Sequence, residues 1–277
     1  MHRLFVIGDL QAISGYHLLS SYLFRAFSFL YQGINMKKLI TVALLISLTS
    51  ASYGQKIETL TPGTLVVAVT TDSPSSEYDP QLWIRRYIQE FAKKNQLVIS
   101  WVTVEFNESW LLASKNEVDL VATNVANFPD RANPGATFSE PFLYERRALR
   151  IKASNQDNYR TLDDFIGKKV GAVAGMAAER DLVNRAPPGV EIRITNTFPE
   201  LYEDFERGEL DAIAEGEYYT LNNEVIPSHD ENVALIDHHD LIPGQREESV
   251  FVVSNQSRNL LQALNSFIRE TKFPVEI

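Results

Sequence analysis

The chain has 277 residues and an ordinary apolar fraction of 44%, enough for one or two globular domains with real cores. Its formal charge of −10 leaves no basic face for phosphate recognition, so a nucleic-acid partner is excluded. Cysteine is absent, which removes disulfides, thiolate metal sites, a cysteine nucleophile and a lipid-modified cysteine near the start.

In chain order, residues 1–35 are aromatic-rich and precede Met36. From Met36, Lys37 and Lys38 form a basic start, and Leu39 to Leu48 form an apolar stretch short for a membrane span. Ser52-Tyr53-Gly54 then makes a cleavage site before Gln55. This order predicts a cleaved export signal over residues 36–54, a misassigned upstream extension over 1–35 and a periplasmic mature protein from Gln55.

Pro62-Gly63 predicts a turn and Thr64 to Val69 a strand, followed by a polar loop over Asp72 to Pro80. Leu82, Ile84, Tyr87, Ile88 and Phe91 recur near helical spacing. Leu97 to Val104 is a second strand, Trp110-Leu111-Leu112 a short helix and Val118 to Thr123 a third strand. The alternation predicts an α/β fold with a mostly parallel sheet. Phe142 to Lys152 is then a long run without turn residues, within which Glu145-Arg146-Arg147 reads as a solvated edge.

The alternation restarts with strand Lys169 to Val173, helix Ala177 to Arg185, strand Val190 to Thr195, helix Pro199 to Arg207 and strand Asp211 to Ala214. A further helix is expected over Glu217 to Val225 and a strand over Val233 to Ile236, with His238-His239-Asp240 as a loop at the hinge and not a metal site. Ser249 to Val253 is extended, and Leu260, Leu261, Leu264, Phe267 and Ile268 mark a final amphipathic helix.

Lys115-Asn116-Glu117-Val118-Asp119-Leu120-Val121-Ala122 closely matches Arg207-Gly208-Glu209-Leu210-Asp211-Ala212-Ile213-Ala214. In each, a helix ends at a basic residue, Asn or Gly supplies the following position, and an Asp starts a buried strand. Either two common αβ turns coincide, or two lobes share one design and close on a ligand by hinge motion. The second reading places lobe 1 at residues 55–145 and 240–277, and lobe 2 at 146–239.

The motif order resembles the family 3 extracellular solute-binding proteins of polar amino-acid uptake. Four segments carry it. They are Asp119 to Asn124 with Arg131 and Phe138-Ser139-Glu140-Pro141-Phe142, then Leu162 to Gly171, the glycine-led loop Gly175 to Ala178, and Gly208 to Ala212. The resemblance implies a two-lobed periplasmic-binding-protein fold, with each lobe a sheet flanked by helices and two crossover segments joining them. It also implies a small ligand bearing a carboxylate, an ABC-transporter permease as partner, a monomer and no cofactor.

It assigns Arg131 to the ligand's carboxylate, which suits a guanidinium in a short loop after a strand. Thr123 and Asn124 fall at the carboxyl end of a strand, where open α/β sheets bind ligands. Gly175, Met176 and Ala177 open a helix, as an anion site or as a plain turn. The acid for the ligand's amino group should fall near Gly216, where Glu215 and Glu217 flank a glycine. Tyr78 is the aromatic of a shortened first loop.

A second resemblance is to the non-catalytic binding domain of the membrane-bound lytic murein transglycosylases. Glu215-Gly216-Glu217-Tyr218-Tyr219 and the path from Val233 to Asp240 into Ser249-Val250-Phe251 carry it. It implies a stand-alone or truncated regulatory domain that binds cell-wall fragments. Neither Glu108-Ser109 nor Glu248-Ser249 has the surroundings of that family's catalytic motif, and no G-x-S-x-G is present, so a binder and not an enzyme is expected.

Overall fold

A computed structural model of the chain describes residues 56–71, 79–227 and 230–274. The expectations for residues 1–54 and for Tyr78 fall outside these segments. Among the described residues the strands join in one ten-stranded sheet, whose two halves form two lobes.

In the first half, β1 (Thr64–Val69) is flanked in parallel by β2 (Val98–Thr103) and β3 (Leu120–Ala126). Helix α1 (Pro80–Lys94) covers them. Asp79 caps it by accepting from the Gln81 N–H at 2.8 Å, and Pro80 occupies the first turn, where no N–H is needed. Trp83, Ile84, Tyr87, Ile88 and Phe91 form its buried stripe. The last helix, α4 (Leu260–Glu270), returns to this lobe, with Phe267 edge-on to Tyr87 at 4.8 Å between ring centres.

The second half repeats the plan. β6 (Lys169–Val173) lies parallel to β7 (Glu191–Thr195) and β8 (Ala212–Tyr219). Helices α2 (Ala177–Arg185) and α3 (Phe198–Glu206) pack on the two faces of this sheet. Both copies of the sequence repeat place the expected left-handed residue, Asn116 at φ 60° in the turn that follows the short 3-10 helix Ser109–Leu111 and Gly208 at φ 76° just past α3. That left-handed position favours Asn and Gly.

Two long strands cross between the halves. β5 (Leu143–Lys152) pairs antiparallel with β8, and β10 (Glu247–Ser254) with β3, while Glu247 to Ser249 of β10 pair with Glu145 to Leu143 of β5. Short β4 (Ala136–Phe138) edges β10, and β9 (Val233–His239) edges β5.

Three expectations are corrected. Residues 217–225 are not helical: β8 runs to Tyr219, and a turn follows with Asn223 at φ 62°. Gly216 is a poor helix former, and seven paired residues of β5 hold the segment extended. Glu145 and Arg147 are not solvated, because strand alternation turns residues 143, 145, 147, 149 and 151 inward together. His238 and His239 end β9 instead of forming a loop, since the backbone of β5 remains available for pairing as far as Arg147.

Candidate functional site

The crossover brings charge into the interior. Glu145 of β5 faces Glu247 of β10 in register, and both are buried. Oε1 of Glu145 accepts from Nδ2 of Asn124 and from Oγ of Ser249, both at 2.7 Å, and Oε2 accepts from Nη2 of Arg147 at 2.5 Å. Nε of Arg147 lies 2.8 Å from Oε1 of Glu247. Burial disfavours the charge on Arg147, but Glu247 and Glu145 outweigh that and raise its pKa. Glu247 is pushed up to about 7, first by burial and then by Glu145 acting against Arg147.

Asn124 reaches Glu145 because β3 is irregular there. The β3–β10 register shifts between Val250 and Val252, and Asn124 adopts φ 61°. Such a bulge re-aims a side chain at little cost when the residue is Asn. Thr123, fully buried, shares a hydrogen bond of 2.8 Å with the Ser109 hydroxyl inside its own lobe.

Arg131 ends a short turn that starts at Pro129, and its side chain is buried. Its guanidinium carbon lies 4.8 Å from the ring centre of Trp110, 4.9 Å from Phe128 and 5.4 Å from Phe106. Nη2 crosses to the second lobe and donates to the Gly175 carbonyl at 2.5 Å, while Nη1 points to the Ala126 carbonyl at 3.4 Å. Burial, with a contribution from Arg180, lowers its pKa to about 10.

Gly175 has φ +79°, and its N–H donates to Oε2 of Glu179 at 2.6 Å. A carboxylate of the chain itself therefore occupies one anion position at the start of α2. Met176 precedes the first residue of that helix, and Ala177 packs against Ala126 and Phe128 of the first lobe.

On β8 the residues alternate. Pairing puts Gly216 opposite Arg147 and Tyr218 opposite Glu145, so these four share one face. Glu215 and Glu217 point to the other. Glu215 accepts from Nε of Arg150 at 2.5 Å, from Nη2 of Arg150 at 3.2 Å and from the Tyr202 hydroxyl. Glu217 accepts from the Tyr219 hydroxyl and lies 3.2 Å from Nδ1 of His238.

A cavity of about 20 Å³ is lined by Glu145 of the crossover strand and by second-half residues that include Arg147, Met176, Gly216 and Tyr218. That is room for about one water. A smaller cavity of about 10 Å³ lies where Thr70 and Phe106 of the first lobe meet Val173 and Phe198 of the second, and Phe106 shares an apolar cluster with Leu201, Tyr202 and Phe205 of the second lobe. A larger solute can enter only if the lobes part. Sequence reasoning missed Glu145, Arg147 and Glu247. The inward alternation of Leu143, Glu145, Arg147, Leu149 and Ile151, with opposite charges two residues apart, is the signal that identifies the first two.

No protein-family model matches the chain. It is 30% identical over 108 residues to the probable histidine-binding protein of Campylobacter jejuni, covering 39% of this chain and 40% of that protein. It is 24% identical over 184 residues to the L-cystine-binding protein TcyJ of Escherichia coli, covering 66% of each. The chain thus spans less than two thirds of the length of the first of these relatives. Among solved structures, an ancestral arginine-binding protein bound to arginine superposes with a TM-score of 0.58 at 21% identity, over 75% of this chain and 92% of that one. The two-lobed α/β fold and the likeness to polar amino-acid-binding proteins both stand on these matches. The likeness to a murein transglycosylase domain gains no support from them.

Proposed function

We propose that the chain is a solute-binding protein that captures a small carboxylate-bearing ligand, an amino acid or a related molecule, between two lobes by hinge closure. In this reading it is exported to the periplasm by the segment 36–54 and acts as a monomer without catalysis. It hands its ligand to an ABC-transporter permease. Lobe 1 comprises residues 55–145 and 240–277 and lobe 2 residues 146–239, with β5 and β10 as the hinge.

The observation that carries the reading is Arg131. A buried guanidinium with aromatic walls spans the interface to a backbone carbonyl of the other lobe. Parting the lobes withdraws Gly175 and frees the Nη2 donor, and a carboxylate matches that fork better than one carbonyl does. Closure then returns Gly175 and the start of α2 over the bound group. The relatives named for histidine and cystine support an amino-acid ligand.

The test is a thermal-shift screen of the chain against L-histidine, L-cystine, L-arginine and the other common amino acids, repeated with Arg131→Ala. A ligand that binds only the native state raises the melting temperature with its concentration. A shift in the parent protein that vanishes in the variant is expected. Shifts of equal size in both would remove Arg131 from the site, and a well-folded parent with no shift would reject the amino-acid reading.

A further inference from the structure

Two consecutive residues of the turn Pro129–Arg131 reach across to the second lobe. Arg131, buried, holds the Gly175 carbonyl, while Asp130, exposed, holds Arg180 of α2. Nη1 of Arg180 donates to Oδ1 of Asp130 at 3.3 Å and Nη2 to Oδ2 at 2.8 Å, a forked pair that exists only while the lobes are together. We propose that Asp130 and Arg180 form a latch at the rim of the cleft, which holds the lobes closed before any solute arrives and sets how often the cleft opens. The inference goes beyond ligand binding and rests only on the hinge of the solute-binding reading.

An ion pair this exposed contributes little by itself, since the Arg180 and Asp130 side chains are 39% and 61% exposed. Its surroundings strengthen it. The Arg180 guanidinium lies 4.3 Å from the ring centre of Phe128 and that of Arg131 lies 4.9 Å from the same ring, so one buried aromatic receives a cation from each lobe. Phe128 also shares an apolar cluster with Ala126, Ala177 and Leu241, which brings residues of both lobes together beside the pair. A hinge equilibrium is closely balanced, so a modest contact present in one state alone shifts it severalfold.

The charges are arranged for this role. The Asp130 carboxyl is held below its ordinary value, first by the Arg180 hydrogen bond and then by the charges of Arg180 and Arg131 acting against burial. Arg180 in turn opposes the charge on Arg131. Asp130 therefore offsets a repulsion between guanidinium groups of opposite lobes. Loss of Asp130 leaves that repulsion in place, whereas loss of Arg180 removes it together with the attraction. The latch thus predicts that Asp130→Asn opens the lobes further than Arg180→Gln does.

The experiment is a spin-label distance measurement between the lobes, on protein refolded from urea to strip any bound solute. The chain holds no cysteine, so Lys115→Cys in lobe 1 and Asn184→Cys in lobe 2, both exposed, take one label each. At low salt the parent should show a short distance with a minor longer one. Arg180→Gln should raise the longer population about fivefold, the factor that an ion pair of this kind supplies, and Asp130→Asn should raise it further. The exchange of Asp130→Arg with Arg180→Asp should restore the short distance. Sodium chloride at about 1 M, which screens charges beyond about 3 Å, should open the parent and leave Arg180→Gln unaltered.

A control separates the latch from the hinge. Ala177→Trp adds bulk against Ala126 and Phe128 of the first lobe and should force the lobes apart. If it lengthens the distance while Asp130→Asn and Arg180→Gln match the parent, the latch is overturned and the hinge stands. If none of the three lengthens it, the lobes do not part, and the latch falls together with the hinge reading. The salt series needs no variant: a parent that is already open at low salt, or whose distances ignore salt, would overturn the latch by itself.

Discussion

Asp119 and Asp211 hold the same place in the two lobes. The Asp119 N–H donates to the Val66 carbonyl at 2.9 Å, and the Val66 N–H returns a bond to Oδ2 of Asp119 at 2.8 Å. The Asp211 N–H donates to the Lys169 carbonyl at 2.9 Å, and the Lys169 N–H returns to Oδ2 of Asp211 at 2.9 Å. Each aspartate thus ties a helix exit to the first strand of its lobe by a reciprocal pair. The sequence repeat has this physical content.

The two are not equal in burial. Asp119 is fully buried and also accepts from Leu60 N–H at 2.7 Å and Ser257 Oγ at 2.6 Å, whereas the Asp211 side chain is 36% exposed. Removing Asp119 strands three donors in the interior, each costing about 1–3 kcal/mol when unsatisfied. Asp119→Ala should therefore lose about 3 kcal/mol or more in urea unfolding, and Asp211→Ala about 1 kcal/mol because water replaces the lost acceptor. Equal losses would show that burial does not set the difference.

Glu247 makes stability depend on pH. Its pKa is about 7 in the fold against an ordinary carboxyl value of 4.5, so the native state holds the proton more tightly than the unfolded chain. Its contribution is fully favourable below about pH 4.5, declines as pH rises towards 7, and stays lost above. At about 1.4 kcal/mol per unit the decline amounts to about 3 kcal/mol. Glu247→Gln is uncharged throughout and should flatten this part of the profile, melting above the parent at pH 8 and level with it at pH 4. Parallel profiles for the two proteins would refute the assignment.

Phe106 and Phe251 are both buried phenylalanines with different duties. Phe251 stacks on Phe142 at 4.2 Å inside the first lobe, and its truncation should cost about 3–5 kcal/mol, as core cavities do. Phe106 packs beside Trp110 and Arg131 of its own lobe and joins Leu201, Tyr202 and Phe205 of the second lobe in one apolar cluster. Phe106→Ala can relax by opening the lobes, so it should cost about 2 kcal/mol or less and raise the radius of gyration in small-angle scattering. Unchanged scattering with a loss as large as that of Phe251→Ala would place Phe106 in an ordinary core.

The sequence was legible where periodicity and turn chemistry are local. The stripe from Leu82 to Phe91, the strand from Lys169 to Val173 and the paired turns at Asn116 and Gly208 all follow from spacing and glycine or asparagine placement. Arg131 was singled out in the sequence through the family resemblance, as a carboxylate binder, while its burial among aromatic rings depends on packing that no local pattern announces. The trio of Glu145, Arg147 and Glu247 was not, because charged residues on a strand read as solvated until the strand's partners are known. Only the pairing of β5 with both β8 and β10 closes water off from them. The missed continuation of β8 has the same origin, since Glu217 to Val225 carries enough helix formers to suit either state and long-range pairing with β5 decides.

Gly175 separates local strain from interlobe contact. It has φ +79°, and a Cβ there would lie 2.8 Å from Oδ1 and 3.2 Å from Cα of Asn107, across the interface. Gly63 has nearly the same φ, +78°, with open space around it. Alanine at either site pays about 1 kcal/mol for the left-handed backbone, which should appear in both melting curves. Only Gly175→Ala adds a clash, and that clash exists only while the lobes are closed. Its scattering profile should therefore expand relative to the parent, while that of Gly63→Ala should superpose on it. A Gly175→Ala protein as compact as the parent would mean that Asn107 yields locally and that the Gly175 loop does not govern closure.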